Sequence, residues 1–248
     1  MLLQMQTWNE VETYLETKDT ILVPIGSTEQ HGPNGLIGTD ALTAEHVARG
    51  VGAATRTLVA PVIAVGMAQH HMAFTGSMTL KPSTLQLVIR DYVDSLSRHG
   101  FRRFFFINGH GGNIATVNAA FAEIHAARSL SEGDNAPGLN LHLRSWWMGK
   151  RVMGEIRQRF GDRDGSHATI SEVSMTQHLF PDAIKAAPAD MGGPSDYRGR
   201  WGDAEDYRRK FPDGRIGSWP QDATPEAGKV LYDMAVEEIS EEVRDFAA

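Results

Sequence analysis

An α/β fold, with a mostly parallel sheet covered by helices on both faces, is what this sequence predicts, and three observations carry the prediction. Short β-branched or aromatic apolar runs alternate with longer stretches of helical periodicity from Thr20 to Phe160. The first run ends on Gly26 and the third runs into Gly109, so polar loops follow strand ends. The chain has 248 residues, 41% of them hydrophobic, enough for one full core. Residues 1–248 are therefore expected to form one domain, with no linker or repeat.

The elements follow in order. Thr7-Trp8-Asn9-Glu10 fits a capping box, which starts a first helix running to about Thr17. Thr20 to Ile25 reads as a buried strand, Asp40 to Ala54 as a helix and Thr57 to Val65 as a second strand. Lys81 to His99 is a long amphipathic helix with Pro82 in its first turn. Phe101 to Ile107 is a third strand, Asn113 to Ser129 a helix, Leu139 to Arg144 a fourth strand and Trp147 to Phe160 another helix. Ile170 to Leu179 and Pro225 to Phe246 complete the helices. Between them, about 186–223 is rich in Gly, Pro, Asp and Arg without periodicity, and is expected to be a lid or subunit-contact segment. Its mixed-charge run Arg198 to Lys210 reads as a solvated face.

Composition removes several function classes. No apolar run approaches the ~20 residues of a membrane span. The N-terminus lacks a basic leader and a small-residue cleavage site, so a cytoplasmic protein is expected. Zero cysteines excludes thiolate catalysis and leaves any metal to His, Asp and Glu. A net charge of -7 argues against nucleic acid and for a small-molecule partner.

Three motifs carry chemistry. In Gly26-Ser27-Thr28-Glu29-Gln30-His31-Gly32-Pro33, Glu29 and His31 are two apart, so on an extended segment both face one site. Asp40 enters from the start of the next helix, where a carboxylate also serves a helix N-terminus without further function. The strand Phe104 to Ile107 runs into Asn108-Gly109-His110-Gly111-Gly112-Asn113, and the glycines beside His110 permit close approach. A dinucleotide fingerprint would need a third glycine where Ile114 stands. In Gly165-Ser166-His167-Ala168-Thr169-Ile170-Ser171-Glu172, His167 and Glu172 converge only if His167 precedes the helix. Thr169 and Glu172 also fit a capping box, so capping and ligation stand side by side for Glu172. His70 and His71 line a pocket mouth with Phe74 or form a solvated loop pair, the commoner case. His99, His125, His142 and His178 receive no role. Trp146, Trp147, Trp201 and Trp219 are packing anchors or walls of a ligand site.

Together and in this order, the motifs resemble those of the creatininase family, the creatinine amidohydrolases. The resemblance spans nearly the whole chain and includes the Gly217 to Gly228 stretch. It implies a three-layer α/β/α sandwich, two divalent metal ions per subunit and a homo-oligomer, commonly a hexamer. Zinc is the first choice of ion, with manganese or iron compatible. By motif position, Glu29 and His110 would bind one metal, His31 and Glu172 the other, with Asp40 bridging and His167 acting as acid or base near the substrate. Creatininase has an aromatic residue and a glutamate after the turn histidine, whereas this chain has Gly111 and Gly112. That departure moves the second carboxylate to Glu172 and points away from creatinine itself. The expected reaction is hydrolysis of a small, cyclic amide, with water activated by the metals and His167 protonating the departing nitrogen. Formamide hydrolysis, opening of a carbocyclic or sugar-like ring, and a non-catalytic small-molecule binder are the alternatives.

Overall fold

The computed structural model describes residues 1–130 and 138–247. Four strands, β1 (Thr20–Ile25), β2 (Leu58–Val59), β3 (Arg103–Asn108) and β4 (Asn140–Ser145), form a sheet of order β2-β1-β3-β4 in which every pairing is parallel. The register aligns Val23 with Phe106 and Ile25 with Asn108, so the motif-bearing ends of β1 and β3 finish side by side.

Successive side chains of a strand point to opposite faces, and the two faces collect separate helices. Ile21, Val23, Phe104 and Phe106 pack against Leu85, Ile89 and Val93 of α3 (Pro82–Arg98) and Val117, Phe121 and Ile124 of α4 (Asn113–Ser129). Val11 and Leu15 of α1 (Trp8–Leu15) join the same face, and the Thr7–Glu10 capping box that starts α1 is present. Leu22, Phe105 and Ile107 face the other way. They meet α2 (Thr39–Thr55), α5 (Lys150–Phe160), α6 (Ile170–Leu179) and α8 (Pro225–Ala247) through Val47, Val51, Val152, Met175, Leu231 and Ile239. Each such fully buried side chain contributes roughly 1.5–3 kcal/mol. The result is the three-layer α/β/α sandwich the sequence predicts.

Three expectations need correction. The second strand is two residues long instead of nine, because Pro61 offers no N–H to a ladder; beyond it only Ile63 bridges to Ile25. The helix expected from Trp147 is split: a 3-10 turn at Trp146–Met148 precedes α5, and Gly149 joins them where a Cβ would strike the Glu238 carboxylate. The run Arg198 to Lys210 is not simply a solvated face. Its α7 (Ala204–Lys210) buries Tyr207 completely, beside Phe211 and Phe74. The segment 186–223 around it is otherwise irregular and hangs on Arg215. That guanidinium is fully buried, pairs with Asp213 (2.6 Å) and donates to the carbonyls of Met191 (3.0 Å) and Gly193 (3.2 Å). Among the described residues, no helix is long and apolar enough to cross a membrane.

Candidate metal centre

The carboxyl ends of β1 and β3 open onto one site, as expected of a parallel sheet. Two glycines set its floor. A Cβ at Gly26 would meet the backbone of Asp40 and Ala41, and one at Gly109 would meet the Asp40 carbonyl. The first turn of α2 is thereby drawn against both strand ends, and Asp40 comes to lie between His31 and His110. Asn108 shapes the second motif: its amide donates to the His110 carbonyl (2.8 Å) and to Ser145 Oγ (3.0 Å), while its Oδ1 accepts from the His110 amide (3.1 Å). Asn113 ties the motifs together by donating to the Gly26 carbonyl (2.9 Å) and accepting from the Met67 amide (3.0 Å).

Asp40 Oδ1 lies 2.9 Å from His31 Nε2, and Asp40 Oδ2 lies 3.0 Å from His110 Nδ1. The other nitrogen of each ring is committed to the main chain. His31 Nδ1 donates to the Glu29 carbonyl (3.0 Å) and His110 Nε2 to the Met67 carbonyl (2.9 Å). A carbonyl can only accept, so each ring, when neutral, turns a bare nitrogen toward Asp40. Glu29 Oε1 stands 3.3 Å from the same His110 nitrogen, and its Oε2 accepts from the Ser27 hydroxyl (2.7 Å). Glu172 Oε1 lies 3.8 Å from His31 Nε2 and also accepts from the Thr169 amide (2.6 Å). Both readings of Glu172 hold at once: it closes a capping box on α6 and faces the site.

All six sequence-predicted residues converge here. Glu29, Asp40 and His110 bring donor atoms within 4.8 Å of one another, and so do His31, Asp40 and Glu172. Glu29, His31 and His167 form a third such group. Two carboxylate oxygens, Glu29 Oε1 and Asp40 Oδ2, are buried and face only imidazole nitrogens, with no other hydrogen-bond donor among the described residues. Buried carboxylate oxygens demand positive charge, and the imidazoles register the same field. Burial alone would push His31 and His110 down, yet the surrounding carboxylates raise them to about 10 and about 9. Against the burial that would raise it, His31 and His110 hold Asp40 well below the usual carboxylate range. Burial lifts Glu172 to about 7.

His167 does precede α6. Ala168 adopts a left-handed backbone (φ 53°), which costs a side chain about 1–2 kcal/mol, and turns His167 toward the site while Thr169 caps the helix. The His167 carbonyl accepts from Ser218 Oγ (2.6 Å). Burial, with the neighbouring His71, holds the His167 imidazole well below its ordinary value.

Sequence reasoning missed two residues. His71 is buried, stacks on His167 with centroids 4.4 Å apart and brings Nε2 within 3.2 Å of Glu29 Oε1. It is not half of a solvated loop pair; Tyr207, packed against it at 4.8 Å between centroids, shuts out water. Gln30 accepts from the Gly32 amide (2.8 Å), which aims its NH2 group at the Gly214 carbonyl (3.0 Å) and His71 Nδ1 (3.0 Å), while its main-chain carbonyl accepts from His167 Nε2 (2.9 Å) and leaves His167 Nδ1 facing Glu29 (3.8 Å). Its position between Glu29 and His31 was the available signal. His70 and His71 both line the cleft, one of the two readings the sequence offered, but Phe74 packs on Tyr207 instead.

Above the centre opens a cleft of about 930 Å³, with Asp40, His110, His167 and Glu172 among its lining. Trp146, Trp147 and Trp201 wall it, whereas Trp219 stacks under Arg163 elsewhere.

Comparison with known proteins adds to this geometry. The family model described as creatinine amidohydrolase matches residues 4–243. A mycofactocin precursor peptide peptidase of Mycobacterium tuberculosis is 35% identical over 179 residues, 68% of this chain and 62% of the relative. The chain thus spans about three-fifths of the length of that peptidase. Creatinine amidohydrolase of Pseudomonas putida is 24% identical over 253 residues, 96% of this chain and 94% of the relative. A solved manganese form of creatininase superposes with a TM-score of 0.82 at 24% identity, covering 99% of this chain and 98% of that one.

Proposed function

This chain belongs to the creatininase family, and on that premise we propose that it is a metal-dependent amidohydrolase with a dinuclear centre. Glu29 and His110 would hold one divalent ion and His31 and Glu172 a second, with Asp40 able to offer an oxygen to each. One observation carries the reading: Asp40 is buried with one oxygen against His31 Nε2 and the other against His110 Nδ1. The donor set fits such ions. It is rich in buried carboxylate, contains two oxygens that face only imidazole nitrogens, and is all nitrogen and oxygen, which suits zinc first and manganese or iron also. When bound, a pair of such ions lowers the pKa of water and polarises a carbonyl.

The chain's own groups do the rest. His167 is held neutral and so begins as a base; the proton it takes from water is the one it returns to the departing nitrogen. The Gln30 carbonyl, accepting from His167 Nε2, fixes the ring with Nδ1 toward the centre, and the cleft wall restricts water around it. Gly112 favours Glu172 over a carboxylate in the turn, because a Cβ there would meet the His110 ring and the Met67 carbonyl.

The substrate we favour is a small amide other than creatinine, a cyclic amide or formamide being the first choices. The cleft has far more room than creatinine would fill, which also admits a short peptide, and a peptidase stands among the relatives. The test is a mass-spectrometric screen of the zinc-reconstituted protein and its chelated control against cyclic amides, formamides, short peptides and cyclic ketones, scoring gain of one water. Metal-dependent gain of water on an amide supports the reading. Turnover confined to ketones, or none by protein holding two metals per chain, overturns it.

A further inference from the structure

The cleft is lined mainly by aromatic, apolar and small residues, and among the described residues that line it Arg157 is the single lysine or arginine. Arg157 sits in the last turn of α5, on the same helical face as Met153 and Ile156, which line the cleft with it. Its neighbours make its situation unusual. Arg151 pairs with Glu241 (2.7 Å), Arg144 with Glu242 (2.7 Å), Arg159 with Glu155 and Arg163 with Asp222. The Arg157 guanidinium, exposed on the cleft side, has no ion-pair or hydrogen-bond partner among the described residues. Two carboxylates share the wall: Asp164 is spent on the amide (2.8 Å) and hydroxyl (3.0 Å) of Ser171, and Asp162 forms no ion pair among the described residues.

A guanidinium at the rim of an aromatic cleft is a fork for a planar oxyanion. We propose that Arg157 anchors a carboxylate of the substrate, so that the cleft takes an amide whose far end is an acid: an acylated amino acid or a short peptide with a free C-terminus. The proposal rests on the amidohydrolase reading, and it makes Arg157 a specificity-determining residue remote from the bond that breaks.

The test separates binding from turnover. N-acetyl-phenylalanyl-alanine and its C-terminal amide are titrated by calorimetry into the zinc-loaded full chain carrying His167→Ala, which slows any reaction. The expected result is a carboxylate form that binds roughly threefold to tenfold tighter than the amide, a range set by the modest strength of exposed charge pairs. Arg157→Gln should abolish that preference without changing the affinity for the amide form, and Asp162→Asn should not weaken it. If the R157Q chain fails to fold, Arg157→Lys, which keeps the charge but loses the fork, should reduce the preference. Equal binding of the two forms, binding of neither, or a preference that survives R157Q and R157K overturns the proposal. Hydrolysis of both probes by the zinc-loaded wild-type chain is scored separately. A preference without metal-dependent turnover keeps the anchor and removes the hydrolase reading; turnover without preference does the reverse.

Discussion

The floor of the cleft and its walls are built by opposite rules. On the floor, Glu29, His31, Asp40 and His110 come from two strand ends and one helix start, all buried and each fixed by at least one short polar contact. The walls come from scattered places: the turn after β4, α5 and the 186–223 segment, with Trp201 and Arg157 exposed. Short motifs at strand ends can specify a floor, because register and backbone geometry do most of the placing. Walls need tertiary packing between distant segments, so reaction class is easier to read from sequence than substrate.

This difference can be broken experimentally, and the largest expected effect is on the floor. His167→Ala should lower kcat by about 10²–10⁴-fold while two metals per chain are retained, as expected for loss of a proton carrier. Steady-state kinetics beside metal analysis checks it; loss of metal in parallel with activity would make His167 a ligand.

Metal uptake should also be strongly pH-dependent. In the metal-free protein the carboxylates raise His31 to about 10 and His110 to about 9, so both rings carry protons at pH 7. Ligation needs the neutral ring, so uptake must release protons and affinity must rise with pH up to about those values. A pH-stat titration with zinc reads the release directly, and uptake without protons contradicts the field described here.

Tyr207 joins the two regions. It is fully buried, packs on His70 and His71 and donates to the Gly214 carbonyl (2.8 Å). Tyr207→Ala should cost about 3–5 kcal/mol in denaturant unfolding, in the range for a buried aromatic. The smaller effect belongs to the wall: Trp201→Ala, losing a partly exposed ring packed on His70, Tyr207 and Phe211, should cost about 1–2 kcal/mol and appear in KM for the amide found by the screen. A loss of several kcal/mol at Trp201 would erase the distinction between floor and wall.

What the sequence made legible follows the same line. The alternation of Glu29 and His31 on an extended segment, the turn around His110 and the requirement that His167 precede a helix are local, and local geometry decided them. Glu172 remained double in the sequence because one carboxylate really does both tasks, capping α6 and facing His31. His71 was not legible: nothing within a few residues distinguishes it from a solvated loop histidine, and its burial depends on Tyr207 from far along the chain. The same contact explains why Arg198 to Lys210 read as a solvated face, since one buried tyrosine within a charged run gives no periodic signal. The second strand read long because Val62, Ile63 and Val65 have strand-like side chains, although Pro61 interrupts the ladder.

The central claim is that Asp40 serves two ions at once, and metal content per chain measured by inductively coupled plasma mass spectrometry tests it most directly. Wild type should hold two ions, Glu29→Ala and Glu172→Ala should each lose mainly one, and Asp40→Ala should lose nearly both while remaining folded by circular dichroism. Equal metal content in the three variants would contradict the account.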